Sequence, residues 1–178
     1  FRQSSGLNIL GVGYTVYSGS EFEGQMLHEA AQAVLQAHQH GLFTVLWMYP
    51  RGKALADEKD PHLVAGAAGV ACALGSDFTK VNYPKPKEGD RAKALHEAVV
   101  AAGRTKLICA GGSSMEVKDF LQTLHDQLHI SGTFGNATGR NIHQKSLDEA
   151  VRFANAVGAL TYDGASVDDA YAIYKGEK

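Results

Sequence analysis

The sequence predicts an α/β protein built on a parallel sheet, and three observations carry that prediction. Strand-like and helix-like segments alternate along all 178 residues. Comparable strand ends fall at Tyr17, Tyr49, Lys80, Gly111 and Gly139, giving steps of 32, 31, 31 and 28 residues. The stretch Leu42 to Tyr49 (LFTVLWMY) is a near-continuous apolar run, as a strand buried on both faces should be. A βα unit repeated in tandem at this spacing gives parallel strands joined by right-handed crossovers. Five units fit either a doubly wound open sheet of flavodoxin type or part of a (β/α)8 barrel. A whole barrel typically needs about 250 residues, which would leave this chain about three units short.

Each element has its own signal. Asn8 to Tyr17 is rich in β-branched and aromatic residues and stops at Ser18-Gly19-Ser20. Phe22 to His40 has helical spacing, with Met26, Ala30, Ala33, Val34 and Ala37 on one face and Gly41 closing it. After the second strand, Asp60-Pro61 supplies a cap and first-turn residue for a helix running to Leu74, closed by Gly75. Asp77 to Tyr83 is the third strand, followed by a loop with Pro84 and Pro86 and a helix from Asp90 to Ala102. Lys106 to Ala110 and Thr133 to Thr138 are the last two strands, followed by helices from Glu116 to His129 and from about Ser146 to Leu160. Ser166 caps a final short helix to Tyr174.

Composition excludes several classes of function. Seventeen basic and nineteen acidic side chains leave a net charge of −2, without the basic excess that nucleic acid or an anionic membrane surface selects. With 44% apolar and 20% charged residues, the chain reads as a globular protein. It lacks an apolar stretch near the ~20 residues of a membrane span, and no signal-peptide pattern opens it. Cys72 and Cys109 lie in apolar runs without metal-ligand or redox spacing, so buried thiols in a reducing cytoplasm are expected. Twenty-five alanines and twenty glycines suit close packing of helices on strands and Gly-rich turns.

In either fold the chemistry belongs at the carboxyl ends of the strands. Lys80 is the odd residue there, because an ammonium within a covered strand is costly and its pKa should fall. A neutral lysine amine is the nucleophile that forms a Schiff base with a carbonyl substrate. The plainer alternative is a Lys80 that reaches the strand end and pairs with an acid. Tyr49 ends the preceding strand and could move a proton beside a cationic iminium, or could simply pack. Trp47 lies two residues earlier, on the same face. Gly111-Gly112 and Gly139-Arg140 each follow a strand just ahead of a helix, where backbone amides and a guanidinium could hold a phosphate.

Two histidine patterns carry less. His125 to His129 has the spacing of a zinc-binding helix, but with Asp126 where the catalytic motif has Glu, so no metal site is assigned. His38 and His40 are expected to be solvated.

Taken together, the strand ends resemble the archaeal-type class I fructose-bisphosphate aldolase family, which has bacterial members. The matching stretches are VGYTVYSGS (Val12 to Ser20), TVLWMYPRG (Thr44 to Gly52), GSDFTKVNY (Gly75 to Tyr83), AGG (Ala110 to Gly112) and TGRN (Thr138 to Asn141). They keep the family's order and spacing over nearly the whole chain. The resemblance implies a (β/α)8 TIM barrel of which residues 1–178 supply roughly strands 4 to 8, the C-terminal five units of one domain. It implies a longer parent carrying the first three strands and the acidic residue that the family uses from its first strand.

By resemblance, Lys80 is the Schiff-base lysine and Tyr49 the acid/base, while Trp47 lines the pocket. Arg51 would hold the second phosphate of a bisphosphate, and Gly111, Gly112, Gly139 and Arg140 the first. The implied activity is metal-independent cleavage of fructose 1,6-bisphosphate to two triose phosphates, and its reversal, in glycolysis and gluconeogenesis. It requires no cofactor and is carried out by a cytoplasmic homo-oligomer, often a decamer. The chain departs from the family at Ala110, where a serine is frequent, and at Asn82, where a second lysine is frequent. A related Schiff-base synthase or thiolase acting on another phosphorylated sugar is the nearest alternative. A non-catalytic half-barrel binding a phosphorylated ligand is the alternative of another class.

Overall fold

A computed structural model describes residues 6–178; the first five residues of the expected domain lie outside it. Five strands, β1 (Gly11–Ser18), β2 (Phe43–Pro50), β3 (Phe78–Val81), β4 (Lys106–Ala110) and β5 (Gly135–Ala137), form one sheet in the order β1-β2-β3-β4-β5. Every adjacent pair is parallel. The doubly wound alternative would reverse direction within the sheet, in the order 2-1-3-4-5. Strictly sequential order with right-handed crossovers instead puts every helix on one side, which is the winding of a barrel arc.

The helices are α1 (Glu23–Gln39), α2 (Pro61–Ala73), α3 (Arg91–Ala101), α4 (Val117–Asp126), α5 (Arg140–His143), α6 (Leu147–Tyr162) and α7 (Val167–Lys175). The Asp60 side chain accepts from the amides of His62 and Leu63 to start α2, and Ser166 accepts from Asp169 to start α7. Ser146 and Glu149 form a reciprocal capping box at α6. None of the described helices is long and apolar enough to cross a membrane.

The sheet has two unlike faces. Alternate residues Val16, Leu46, Met48, Val81, Leu107 and Cys109 are buried against α1, α2 and α3, where alanines such as Ala30, Ala65, Ala68 and Ala98 allow close approach. A second cluster, built on Phe120, Leu121, Leu124, Phe153 and Leu160, joins α4, α6 and α7. The opposite, concave face carries Phe43, Trp47, Tyr49, Phe78, Lys80 and Ile108. It is not covered as the apolar run of β2 predicts: Phe43 and Phe134 remain 41% and 57% exposed. The run is continuous because both faces of β2 carry apolar side chains, yet only one meets helices within this chain.

Four local differences from the sequence reading have physical causes. The helix of α4 stops at Asp126 and widens into a π turn at Gln127–Ser131, ended by Gly132 at φ 79°. The Thr133 amide and hydroxyl both donate to the Gln127 carbonyl, so β5 begins at Gly135 instead of Thr133. A single turn, α5, follows β5 directly. Cys109 is fully buried, as expected, but Cys72 is only partly so.

His38 is also not simply solvated. Its Nε2 donates to Asp77 Oδ2 at 2.8 Å, and the same oxygen accepts from the Thr44 amide at 2.8 Å and hydroxyl at 3.1 Å. Burial alone would raise the Asp77 pKa, but these donors outweigh it and hold the carboxyl below its ordinary value. A depressed carboxylate contributes stability that is present above the unfolded pKa and is lost as pH falls through the folded one. Asp77→Ala is therefore expected to cost about 2 kcal/mol in urea unfolding at neutral pH, with the deficit shrinking in acid as the wild-type carboxylate protonates. An equal deficit at both ends of the pH range would contradict this role.

Candidate active site

Register places the sequence-predicted residues in layers on the concave face. Trp47 pairs with Thr15 on one side and Lys80 on the other, and Lys80 pairs with Ile108. One layer nearer the carboxyl ends, Tyr17 pairs with Tyr49, and Ala110 with Ala137. The Trp47 ring lies over Gly13, where an added Cβ would meet it at 1.9 Å, so a glycine in β1 makes room for the indole. The Lys80 Nζ stands 5.8 Å from that ring's centre.

A cavity of about 350 Å³ opens above this layer. Tyr49, Arg51, Lys80, Gly111, Gly112, Gly139 and Arg140 all line it, with Asn82, Ala110 and Ala137 completing the wall. Seven of the eight predicted residues thus share one chamber, and Trp47 lies beneath it beside Lys80. Larger hollows exist, including one of about 450 Å³ around Phe43, Asp77, Phe78 and Lys106. That one lies at the amino ends of the strands, the side of such folds associated with stability instead of chemistry.

The electrostatics of the chamber match its geometry. Burial lowers the Lys80 pKa below the usual lysine value. Among the described residues no carboxylate pairs with its amine, so the ion-paired alternative is not realised. Burial also raises the Tyr49 phenol, as does the neighbouring Tyr17, while Arg51 opposes them. The Cys109 thiol behind the sheet is pushed up to about 12 by burial and stays neutral.

The glycine loops are held by a residue that the sequence reading quoted only within a longer stretch. Asn141 is buried, and its Nδ2 donates to the carbonyls of Gly111 and Ser113, both at 3.1 Å. Its Oδ1 accepts from the Met115 amide at 3.0 Å. The turn of α5 carries Asn141 back under the β4–α4 loop, and at its first position leaves the Arg140 guanidinium unpaired among the described residues. Asn82, which the sequence reading named only as a departure from the family, also lines the wall, just past the end of β3.

Fold and site together define a barrel-type β/α protein with an unpaired lysine amine at the carboxyl ends of its strands. The chain belongs to the DeoC/LacD family of aldolases, which its residues 2–145 match. It is 56% identical over 177 residues to the fructose-bisphosphate aldolase/6-deoxy-5-ketofructose 1-phosphate synthase of Methanocaldococcus jannaschii, covering 99% of this chain and 56% of that protein. Over 159 residues it is 38% identical to a class 1 fructose-bisphosphate aldolase of Halobacterium salinarum, covering 89% of this chain and 57% of that one. The chain thus spans about half the length of the curated relatives it matches.

Solved structures agree. A fructose-bisphosphate aldolase from Slackia heliotrinireducens superposes with a TM-score of 0.96 at 57% identity, over 99% of this chain and 56% of that one. An archaeal fructose-1,6-bisphosphate aldolase, solved with its catalytic lysine covalently bound to the carbinolamine intermediate of the substrate, gives a TM-score of 0.76 at 37% identity. That match covers 85% of this chain and 58% of that one.

Proposed function

We propose that this chain carries the Schiff-base half of a class I fructose-bisphosphate aldolase, completed as a barrel by further βα units of the same domain. The observation that carries the reading is the Lys80 amine: half-buried, lowered in pKa, unpaired among the described residues, and sharing a chamber with Tyr49 and Arg140.

The neutral Nζ adds to the C2 ketone, and the resulting carbinolamine loses water to give a protonated imine. Tyr49, kept protonated by its raised pKa, gives the proton that lets the hydroxyl leave. The phenolate so formed beside the cationic imine takes the C4 hydroxyl proton as the C3–C4 bond breaks. The bond's electron pair flows into the imine, leaving an enamine and releasing glyceraldehyde 3-phosphate. Tyr49 then protonates C3, and water, giving its proton back to Tyr49, restores the carbinolamine. Collapse releases dihydroxyacetone phosphate and the free amine. The protonated imine is the electron sink, so this route draws on no metal.

Amides of the Gly111-Gly112 and Gly139 turns, with Arg140, hold the phosphate next to the ketone; Arg51 holds the far one. Such anchoring turns remote binding energy into orientation of the reacting carbonyl. The cellular setting that goes with this reading is a cytoplasmic homo-oligomer serving glycolysis or gluconeogenesis. The double name of the Methanocaldococcus jannaschii relative favours addition of the same enamine to a second aldehyde as an additional reaction.

The test is to incubate the protein with dihydroxyacetone phosphate, reduce with borohydride, and map the adduct by peptide mass. A reduced adduct on the Lys80 peptide is expected. An adduct elsewhere, or none, overturns the assignment.

A further inference from the structure

We propose that the contact between the β1–α1 and β2–α2 loops positions Arg51, and that this contact gives the site its preference for sugars bearing two phosphates over sugars bearing one. The inference rests on the reading of Arg51 above.

The two loops are in backbone contact. The Arg51 amide donates to the Ser18 carbonyl at 2.8 Å, carrying the pairing of β1 and β2 past the end of the sheet. A Cβ added at Gly52 would lie 2.0 Å from the Gly19 carbonyl oxygen and 2.7 Å from the Ser20 nitrogen. These are backbone atoms, so no side-chain rotation could relieve the clash. Gly19 has φ +90°, and a Cβ there would strike the Leu55 side chain at 2.6 Å. Each glycine is thus required where the other loop crosses it.

The contact determines where the guanidinium rests. The carbon of the Arg51 guanidinium lies 5.4 Å from the centre of the Tyr17 ring, and its Nε donates to Glu58 Oε2 at 3.3 Å. Arg51 lines the chamber; with the guanidinium near Tyr17 and its Nε engaged by Glu58, no protein partner holds its two terminal nitrogens among the described residues. That is the fork suited to bidentate capture of a phosphate. Neither Tyr17 nor Gly52 lines the chamber; they act through Arg51 and are positioning residues.

The experiment compares kcat/KM for fructose 1,6-bisphosphate with that for fructose 1-phosphate, in the full-length protein and in four variants. Arg51→Ala is expected to lower the ratio of the two by about tenfold or more, the worth of one charge-assisted interaction. Gly52→Ala and Tyr17→Leu should lower it in the same direction, chiefly through KM for the bisphosphate. Tyr17→Phe, which keeps the ring, should retain the wild-type ratio. A general loss of folding or catalysis affects both sugars alike and leaves the ratio where it was. Should Arg51→Ala lower the ratio while Gly52→Ala and Tyr17→Leu do not, the clamp is refuted but the role of Arg51 stands. Should Arg51→Ala itself leave the ratio unchanged, the assignment of the far phosphate to Arg51 falls first.

Discussion

Lys80→Ala is expected to lower turnover of fructose 1,6-bisphosphate by roughly 10,000-fold or more, the scale on which loss of a catalytic nucleophile acts. Borohydride should then leave no adduct. Binding of dihydroxyacetone phosphate should remain measurable, because the residues proposed to hold its phosphate, Gly111, Gly112, Gly139 and Arg140, lie on other strands and loops. The pH profile of the wild type carries a sign. The reactive form is the neutral amine, so activity rises as pH climbs through the Lys80 pKa. Burial lowers that pKa, placing the acid limb below the range of an ordinary lysine. Substantial residual activity in Lys80→Ala, or an acid limb at the ordinary lysine value, would remove the nucleophile from this position.

Tyr49→Phe is expected to lower kcat by about 100- to 10,000-fold, the range for loss of a positioned acid/base group. The change removes one oxygen and keeps the ring packed beside Tyr17. Tyr49 serves imine formation as well as bond cleavage, so the Lys80 adduct should form more slowly yet still accumulate on long incubation, with water supplying the dehydration proton. Burial and Tyr17 hold the phenol above its ordinary pKa, so the Tyr49 proton is retained to higher pH than in free tyrosine. Any basic limb that Tyr49 imposes should accordingly lie above the ordinary tyrosine range, and Tyr49→Phe should abolish it. A Tyr49→Phe variant that keeps turnover near the wild-type value would instead make Tyr49 a packing residue for the lysine.

Much of this protein could be read before its fold was known, for reasons tied to particular residues. The 31-residue period, the Asp60-Pro61 helix start and the Ser146 and Ser166 caps are local signals, and each is realised within one or two residues. Lys80 could be singled out because a charged residue inside an apolar strand breaks a local pattern. The π turn after Asp126 could not, since it depends on Thr133 returning to the Gln127 carbonyl. The loop-holding role of Asn141 was likewise hidden. Its three partners lie 26 to 30 residues away in the chain, and no local spacing announces them. His38 shows the same limit, for its partner Asp77 is 39 residues distant.

By itself the sequence determined the parallel βα repeat, the strand ends where chemistry gathers, and the lysine and tyrosine that stand there. Those are consequences of period, composition and residue type, all properties of short stretches. Period and length left both an open sheet and a barrel arc standing. The resemblance of the strand ends favoured the barrel, and the strand order β1-β2-β3-β4-β5 agrees, strand order being a matter of which edges meet. Only the tertiary structure decided that Lys80 has no acid partner among the described residues, and that Gly52 crosses Gly19 at backbone contact beside Arg51 and Tyr17. Such outcomes depend on contacts between residues far apart in the chain, whose distances follow from the curvature of the sheet and the packing of its loops.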